Sequence, residues 1–364
     1  NPLGGAGVAA LGEGLRAATA LETLDLSETQ LDASGVEALG RAAVAGGLQA
    51  LRALHVSRNG ELAGDGARAV AALLPKLPAL RRCAVEECAV GAAAGALLGT
   101  AVAAARGDGH CALECLLLDG NPALGGACRQ VDASPSLGSP SLALLDDEEE
   151  AGAAAVRALC GAGLRELRMG RCGVADAAAS GLCDASPSLT ALDLHSNQLG
   201  PRAAAALGTL RGLRSLRLFD NPLEDAAALA LVEAHGEASS LEALDLGACR
   251  MSAAGMSALF AVLARASVLP RLRCVELFGN ESDAEALARL RAARPGVDVA
   301  WKQSAREGAE AEAGGAGGAA GATVATGMSE GAPPAPATSH DVDDVDDGGG
   351  GDDDDVPPDP GGSW

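Results

Sequence analysis

The chain has 364 residues, 48% hydrophobic and 1% aromatic, and carries a formal net charge of −22. So acidic a chain repels phosphate, and so few rings leave little to stack on bases, so nucleic acid is not the expected partner. Its two lysines, Lys76 and Lys302, stand in no phosphate-binding GxxxxGKS/T loop. The ten cysteines include no CxxC pair, and no two histidines stand four apart, so neither a metal nor a cofactor is expected. No segment combines a charged start with an apolar run, so no secretory leader is visible.

One motif recurs along the chain: LxxLxLxx followed by Asn or Cys. It is read in LETLDLSET from Leu21, LRALHVSRN from Leu51, LRRCAVEEC from Leu80 and LECLLLDGN from Leu113. It returns in LRELRMGRC from Leu164, LTALDLHSN from Leu189, LRSLRLFDN from Leu213, LEALDLGAC from Leu241 and LRCVELFGN from Leu272. Numbering each copy from its first Leu, places 1, 4 and 6 point inward from a short strand and places 3, 5 and 7 point outward, because strand side chains alternate. Place 9 faces the turning backbone and forms a structural ladder: Asn59, Cys88, Asn121, Cys172, Asn197, Asn221, Cys249 and Asn280. Cysteines recurring at one repeat position pack as small, weakly polar side chains, and free thiols in a reducing compartment are expected.

After each ladder residue the apolar positions fall three and four apart, as in LDASGVEALGRAAV after Thr29, LGPRAAAALGTL after Asn197 and MSAAGMSALFAVL after Cys249. That period predicts a helix. The same helical period accounts for the uncharged run Cys88 to Ala105 better than a membrane span does. The 51 residues between Leu113 and Leu164 are about twice the other spacings. Either SPSLALLDD from Ser139 fills this gap as a degenerate unit near 128–163, with Leu142, Leu144 and Asp147 in the key places, or the repeated DASPSL at 132–137 and 184–189 marks an insertion. The regular solenoid period favours the first. NPLGGAGVAALGEGL reads as the tail half of a unit with Asn1 at the ladder place, so the solenoid is expected to be N-terminally truncated. Pro295 to Trp301 reads as a last short strand, with Trp301 over the core end.

The expected fold is therefore α/β: a solenoid of about ten repeats over 1–304, with parallel strands on a concave face and helices on a convex one. Residues 306–364 hold 14 acidic residues against one Arg, in stretches such as PPAPA and GGGGDDDD. They bury too little apolar surface to offset ordering, so 305–364 is expected to be a disordered acidic tail.

These repeats resemble the leucine-rich repeat family, in its ribonuclease-inhibitor-like subtype. The resemblance implies a horseshoe and a non-enzymatic module that binds a protein partner on its concave face. LDLHSNQLGP at 192–201, with the acidic tail, is also similar to the Ran GTPase-activating proteins, whose repeats carry LHNNxLGP. This likeness implies a small-GTPase activator or GTPase-binding regulator. That family uses an Asn on such a strand-end loop; Ser196 stands in the place before Asn197 here, so binding with weak or absent activation is expected. A third alternative is the repeat region of a larger NOD-like sensor. A cytoplasmic location is expected, at the nuclear periphery if the Ran likeness holds.

The outward places supply the candidate partner-binding residues. Place 5 reads Asp25, His55, Ala84, Leu117, Ala143, Arg168, Asp193, Arg217, Asp245, Glu276, with alternating sign from Arg168 to Asp245. Place 7 reads His195, Phe219, Gly247, Phe278 in the last four units, so two of the chain's three Phe lie on an open face. Exposed aromatics beside Arg are common binding anchors. The candidate patch is Arg168, Arg171, His195, Ser196, Arg217, Phe219, Asp220 and Phe278. A shallow gap between the two Phe rings and a solvent-exposed Asp193 are expected. No Ser is placed for activation by His195, so no catalytic residue is expected. Asn280-Glu281-Ser282 has the form of a glycosylation sequon, but Asn280 is assigned to the buried ladder.

Overall fold

The computed structural model describes residues 1–126, 142–185, 187–281 and 283–301. They fall in one compact unit, Asn1–Gly315; the second unit, Ala316–Trp364, lies outside the described residues. So do the expected tail at 305–364, the repeat DASPSL at 132–137, and the start of SPSLALLDD at Ser139.

Ten three-residue strands form one sheet: β1 Thr23–Asp25, β2 Ala53–His55, β3 Arg82–Ala84, β4 Cys115–Leu117, β5 Glu166–Arg168, β6 Ala191–Asp193, β7 Ser215–Arg217, β8 Ala243–Asp245, β9 Cys274–Glu276 and β10 Asp298–Ala300. They pair in parallel and in chain order, so each strand touches only its sequence neighbours. Helices run between them: α1 Gly4–Leu15, α2 Ala33–Val44, α3 Gly64–Leu73, α4 Ala92–Gly107, α5 Leu142–Cys160, α6 Pro201–Leu207, α7 Glu224–His235, α8 Ala253–Leu263 and α9 Ala284–Ala293. Between β5 and β6 the chain makes a 3-10 helix, Asp176–Asp184, instead. Among the described residues no helix is long and apolar enough to cross a membrane. The repeats make a leucine-rich-repeat solenoid.

Inward places fill one continuous core. Leu54, Leu116, Leu167, Leu192 and Leu216 at place 4, and Val56, Leu118, Met169, Leu194 and Leu218 at place 6, are buried between sheet and helices. Burying a Leu side chain contributes roughly 1.5–3 kcal/mol, so the repeat's leucines are the main cohesive force. Helix starts are capped within and between units. Asp32 accepts the Gly35 N–H at the start of α2, and Ser252 that of Gly255 at α8. Asp176 reaches into the following unit and accepts the N–H groups of Gly200 and Ala203 at the start of α6. At the far end β10 pairs with β9, and Trp301 packs edge-on to Phe260, ring centroids 6.3 Å apart.

Among the described residues, the long spacing after Leu113 holds no extra strand. β4 pairs directly with β5, Leu116 opposite Leu167, so the sheet has no place for a degenerate unit. Leu142, Leu144 and Asp147, expected as strand and ladder positions, belong to α5. The segment is rich in Ala and Glu, strong helix formers, and its buried residues Ala153, Val156, Leu159 and Cys160 recur three and four apart, a helical period.

The ladder explains how the units lock together. All nine residues at place 8, from Glu28 to Gly279, have positive φ, so the chain turns sharply there in every unit. Asn121 then accepts the N–H groups of Cys88 and Val90 and donates to the carbonyls of Val85 and Leu118. Asn59 serves Thr29, Leu31, Leu26 and Val56 in the same way, and Asn197 serves Cys172, Val174, Met169 and Leu194. The cysteines only donate: Cys172 to Leu118 O and Gly170 O, Cys249 to Leu218 O and Gly247 O. Where the next ladder residue is Cys, no side-chain amide is there to receive the turn's N–H groups. The units of Asn59, Asn121 and Asn221 satisfy the requirement themselves: their own carbonyls accept from Leu62, Leu124 and Leu223. Conversely, the units headed by Thr29, Cys88, Cys172 and Cys249 place a second residue, Gln30, Ala89, Gly173 or Arg250, at positive φ. That turn aims the N–H groups at the neighbour's Asn. Asn280 is one of these buried ladder amides, bonded to Met251, Leu246 and Leu277.

Candidate functional site

The candidate residues sit on the sheet face turned away from the helices and on the loops at the strand ends. Phe219 and Phe278 follow β7 and β9. Their rings touch, centroids 5.4 Å apart and planes tilted by 37°. The expected gap between them does not exist. Its closure has a simple cause: Gly247, between them at place 7, has no side chain, and a Cβ there would lie 2.8 Å from Phe219 Cδ2. Both rings remain half-buried.

A second glycine does the same for a polar group. A Cβ on Gly170 would lie 1.9 Å from His195 Cε1, so the His195 ring lies over that glycine. His195 Nδ1 contacts Asp193 Oδ1 at 2.8 Å, and Asp193 also accepts the His195 backbone N–H. Arg217 lies between two carboxylates, 3.5 Å from Asp193 and 3.6 Å from Asp245. Asp193 is only 6% exposed and Asp245 only 4%, which corrects the expectation of a solvent-exposed Asp193. Neighbouring side chains on this face are long enough to cover the shorter Asp.

Burial shapes the titration here. It pushes Asp193 up, but the His195 ring and backbone bonds and Arg217 more than offset it, and the carboxyl ends below its usual range. The Asp193 hydrogen bond raises His195 against the effect of burial. Asp245 and Glu276 are shifted upward, chiefly by burial. Asp119, which accepts the Gly170 N–H at 2.6 Å, is raised for the same reason.

Not every candidate joins this cluster. Arg168 turns to Glu166 within its own strand at 2.9 Å, and Arg171 turns toward Glu87, at 3.7 Å. Ser196 and Asp220, both at positive φ, line a strand-end cleft of about 180 Å³ with Gly173, Pro222 and Arg250. Asn197 also borders it, but its amide is committed to the ladder. The sequence reading missed Asp119, Arg250 and the part played by the two glycines. A Gly at place 7, where neighbouring units carry His or Phe, was the available signal.

Eight described cysteines are free. Burial pushes the ladder thiols of Cys172 and Cys249 up to about 12 and that of Cys88 to about 11, so they stay protonated and able to donate. Among the described residues no group of three His, Cys, Asp or Glu side chains is arranged to hold a metal.

A family model described as Leucine Rich repeat matches residues 18–40, 185–208 and 237–260. No curated protein matches the chain. Among solved structures, a crystal structure of a TLR13–ssRNA13 complex is similar at 19% identity and a TM-score of 0.46, over 80% of this chain and 37% of that one. The chain thus spans little more than a third of that structure's length. With the repeat motif, the ladder and the parallel sheet in place, the chain carries leucine-rich repeats folded as a solenoid.

Proposed function

We propose that the chain is a non-enzymatic interaction module that binds a protein partner on the concave sheet face of its last five units. The Phe219–Phe278 pair carries this reading: two half-buried rings, joined over Gly247, form an apolar platform beside Arg217 and His195. Aromatic anchors ringed by polar groups suit a protein surface. The partner would lie across the touching rings, since no slot separates them. The test is affinity capture from the native source with wild type and the Phe219→Ala/Phe278→Ala double variant. A partner held by wild type should be lost from the double variant, whose melting temperature should fall by only a few degrees. Equal capture by both would overturn the reading.

A second reading, a small-GTPase regulator that binds without activating, draws on the 192–201 likeness and on the cleft beside Ser196. Asn197, the nearest amide, is committed to Cys172, Val174, Met169 and Leu194, so it cannot orient a water or a GTPase side chain. Single-turnover GTP hydrolysis by Ran should be unaffected by the protein, while binding is measurable. Strong stimulation would refute the non-activating reading, and absence of binding would remove the GTPase altogether.

A further inference from the structure

The start edge of the sheet differs in charge from the rest of this acidic chain. Place 2 stands just before each strand, and its backbone bonds stack from unit to unit. Arg165 N–H donates to Glu114 O, Thr190 to Arg165, Arg214 to Thr190, Glu242 to Arg214 and Arg273 to Glu242. The column reads Glu22, Arg52, Arg81, Glu114, Arg165, Thr190, Arg214, Glu242, Arg273. In its first half the charges cancel: Arg52 lies 3.9 Å from Glu22, and Arg81 lies 3.2 Å from Glu114. In the second half they do not. Arg165, Arg211, Arg271 and Arg273 are exposed and form no ion pair among the described residues, and Arg214 has only Glu242, at 3.5 Å.

The arginines of this half recur on every second strand. Parallel strands stand about 4.8 Å apart, so Arg165, Arg214 and Arg273 are spaced by roughly 10 Å. An extended polyproline-type peptide advances about 3.1 Å per residue, so carboxylates three residues apart meet that spacing. A continuous phosphate chain does not fit as well, because Glu242 interrupts the row and would repel it. The break at Thr190 has a further feature. A groove of about 480 Å³ opens there, lined by Ala185, Pro187, Leu189, Leu210 and Arg211 among others. It is mixed in character, with apolar walls and one guanidinium.

We propose that the strand-start rim of units 5 to 9 docks an extended acidic polypeptide segment. Its carboxylates engage Arg165, Arg214 and Arg273, and an apolar side chain between the first two enters the groove beside Thr190. This surface lies at the opposite end of the strands from Phe219, Ser196 and the cleft at Arg250. It therefore leaves the concave face free for a second contact, and the two can be tested separately.

The probe is a fluorescein-labelled heptapeptide, Asp-Leu-Pro-Asp-Pro-Pro-Asp, titrated into the full chain by fluorescence anisotropy at low and physiological salt. Saturable binding is expected, weakening as salt rises. The triple variant Arg165→Glu/Arg214→Glu/Arg273→Glu should bind at least tenfold more weakly, with an unchanged melting temperature because all three side chains are exposed. The milder Arg→Gln triple should fall between, which separates lost attraction from damage to the fold. Arg52→Glu/Arg81→Glu, in the self-neutralised half, should bind as wild type, and so should Phe219→Ala. A peptide with its three Asp contiguous should bind several-fold more weakly than the spaced one. The proposal is overturned if the triple variant binds like wild type, if Arg52→Glu/Arg81→Glu weakens binding as much, or if an oligothymidylate or a phosphatidylserine vesicle binds more tightly than the peptide.

Discussion

The ladder row under the turns and the outer row on the sheet face are built from the same repeat, yet they obey different constraints. At place 9 every side chain faces the turning backbone, so only Asn, Cys and Thr occur, and four of the five Asn collect the N–H groups that a Cys or Thr unit presents. At places 5 and 7 the neighbours are only other side chains. There Asp, Arg, His, Phe and Gly alternate, and contacts depend on which side chain is missing. The difference teaches that uniform rows in a solenoid report what the backbone needs, whereas irregular rows report what the surface has been shaped to meet.

The comparison breaks most severely at the ladder. Asn197→Ala leaves the N–H groups of Cys172 and Val174 and the carbonyl of Met169 without partners, while Leu194 O keeps Asn221; at about 1–3 kcal/mol for each buried group it should cost about 3 kcal/mol or more. Urea unfolding should show it as the least stable variant, and a loss under about 1 kcal/mol would mean that water replaces the amide at no cost. Next comes Leu194→Ala, expected to cost about 2–5 kcal/mol, since Leu194 is wholly buried under the sheet. On the outer row Asp193→Ala should cost about 1–3 kcal/mol, because it strips His195 and Arg217 of a buried acceptor. Equal stability of Asp193→Ala and wild type would show that the outer row contributes nothing to folding.

A fourth prediction uses pH. His235, at the end of α7, is buried, with Nδ1 3.4 Å from Ser239 Oγ and no partner for Nε2 among the described residues. Burial lowers its pKa to about 4, from an ordinary value of 6.5. The unfolded chain then binds a proton that the folded one does not, so stability is full above pH 6.5 and falls as the pH drops toward 4, by on the order of 3 kcal/mol. His195 acts in the opposite direction: Asp193 raises its pKa, so its contribution is full below 6.5 and fades as the pH climbs through the raised value. His235→Gln should flatten the acid limb, and an unchanged slope would place its origin elsewhere. The smallest effect belongs to the turns. Ala248 is held at φ 51° in a place that Gly120 and Gly279 fill elsewhere, so Ala248→Gly should raise stability by about 0.5–1 kcal/mol.

Most of the fold was legible because leucine spacing and strand alternation are one-dimensional facts. The ladder positions follow from the same register. The unit assigned around Ser139 failed because Leu142 and Leu144 satisfy a strand pattern locally, while the Ala- and Glu-rich residues after them make a helix and β4 already has a partner in β5. The site was legible only in outline. Place 7 put Phe219 and Phe278 on one face, but whether they stand apart or touch depends on the width of the space above Gly247, and spacing along a chain carries no such width. Asp193 was assigned to solvent by alternation alone. Its burial comes from His195 and Arg217, whose length and direction are three-dimensional.

Every ladder Asn and Cys ties its unit to the one before it, whereas Thr29 bonds Leu26 O of its own unit. A load applied along the solenoid therefore passes through these joints in series, each carrying the whole force, and the weakest yields first. Where Asn197 is followed by Asn221, the joint carries one N–H bond, from Leu199, in place of the pair that Asn121 and Asn197 receive. That joint lies beneath the Ser196 cleft and next to Phe219, and Asn280, which also receives a single N–H, from Met251, makes a second such joint beside Phe278.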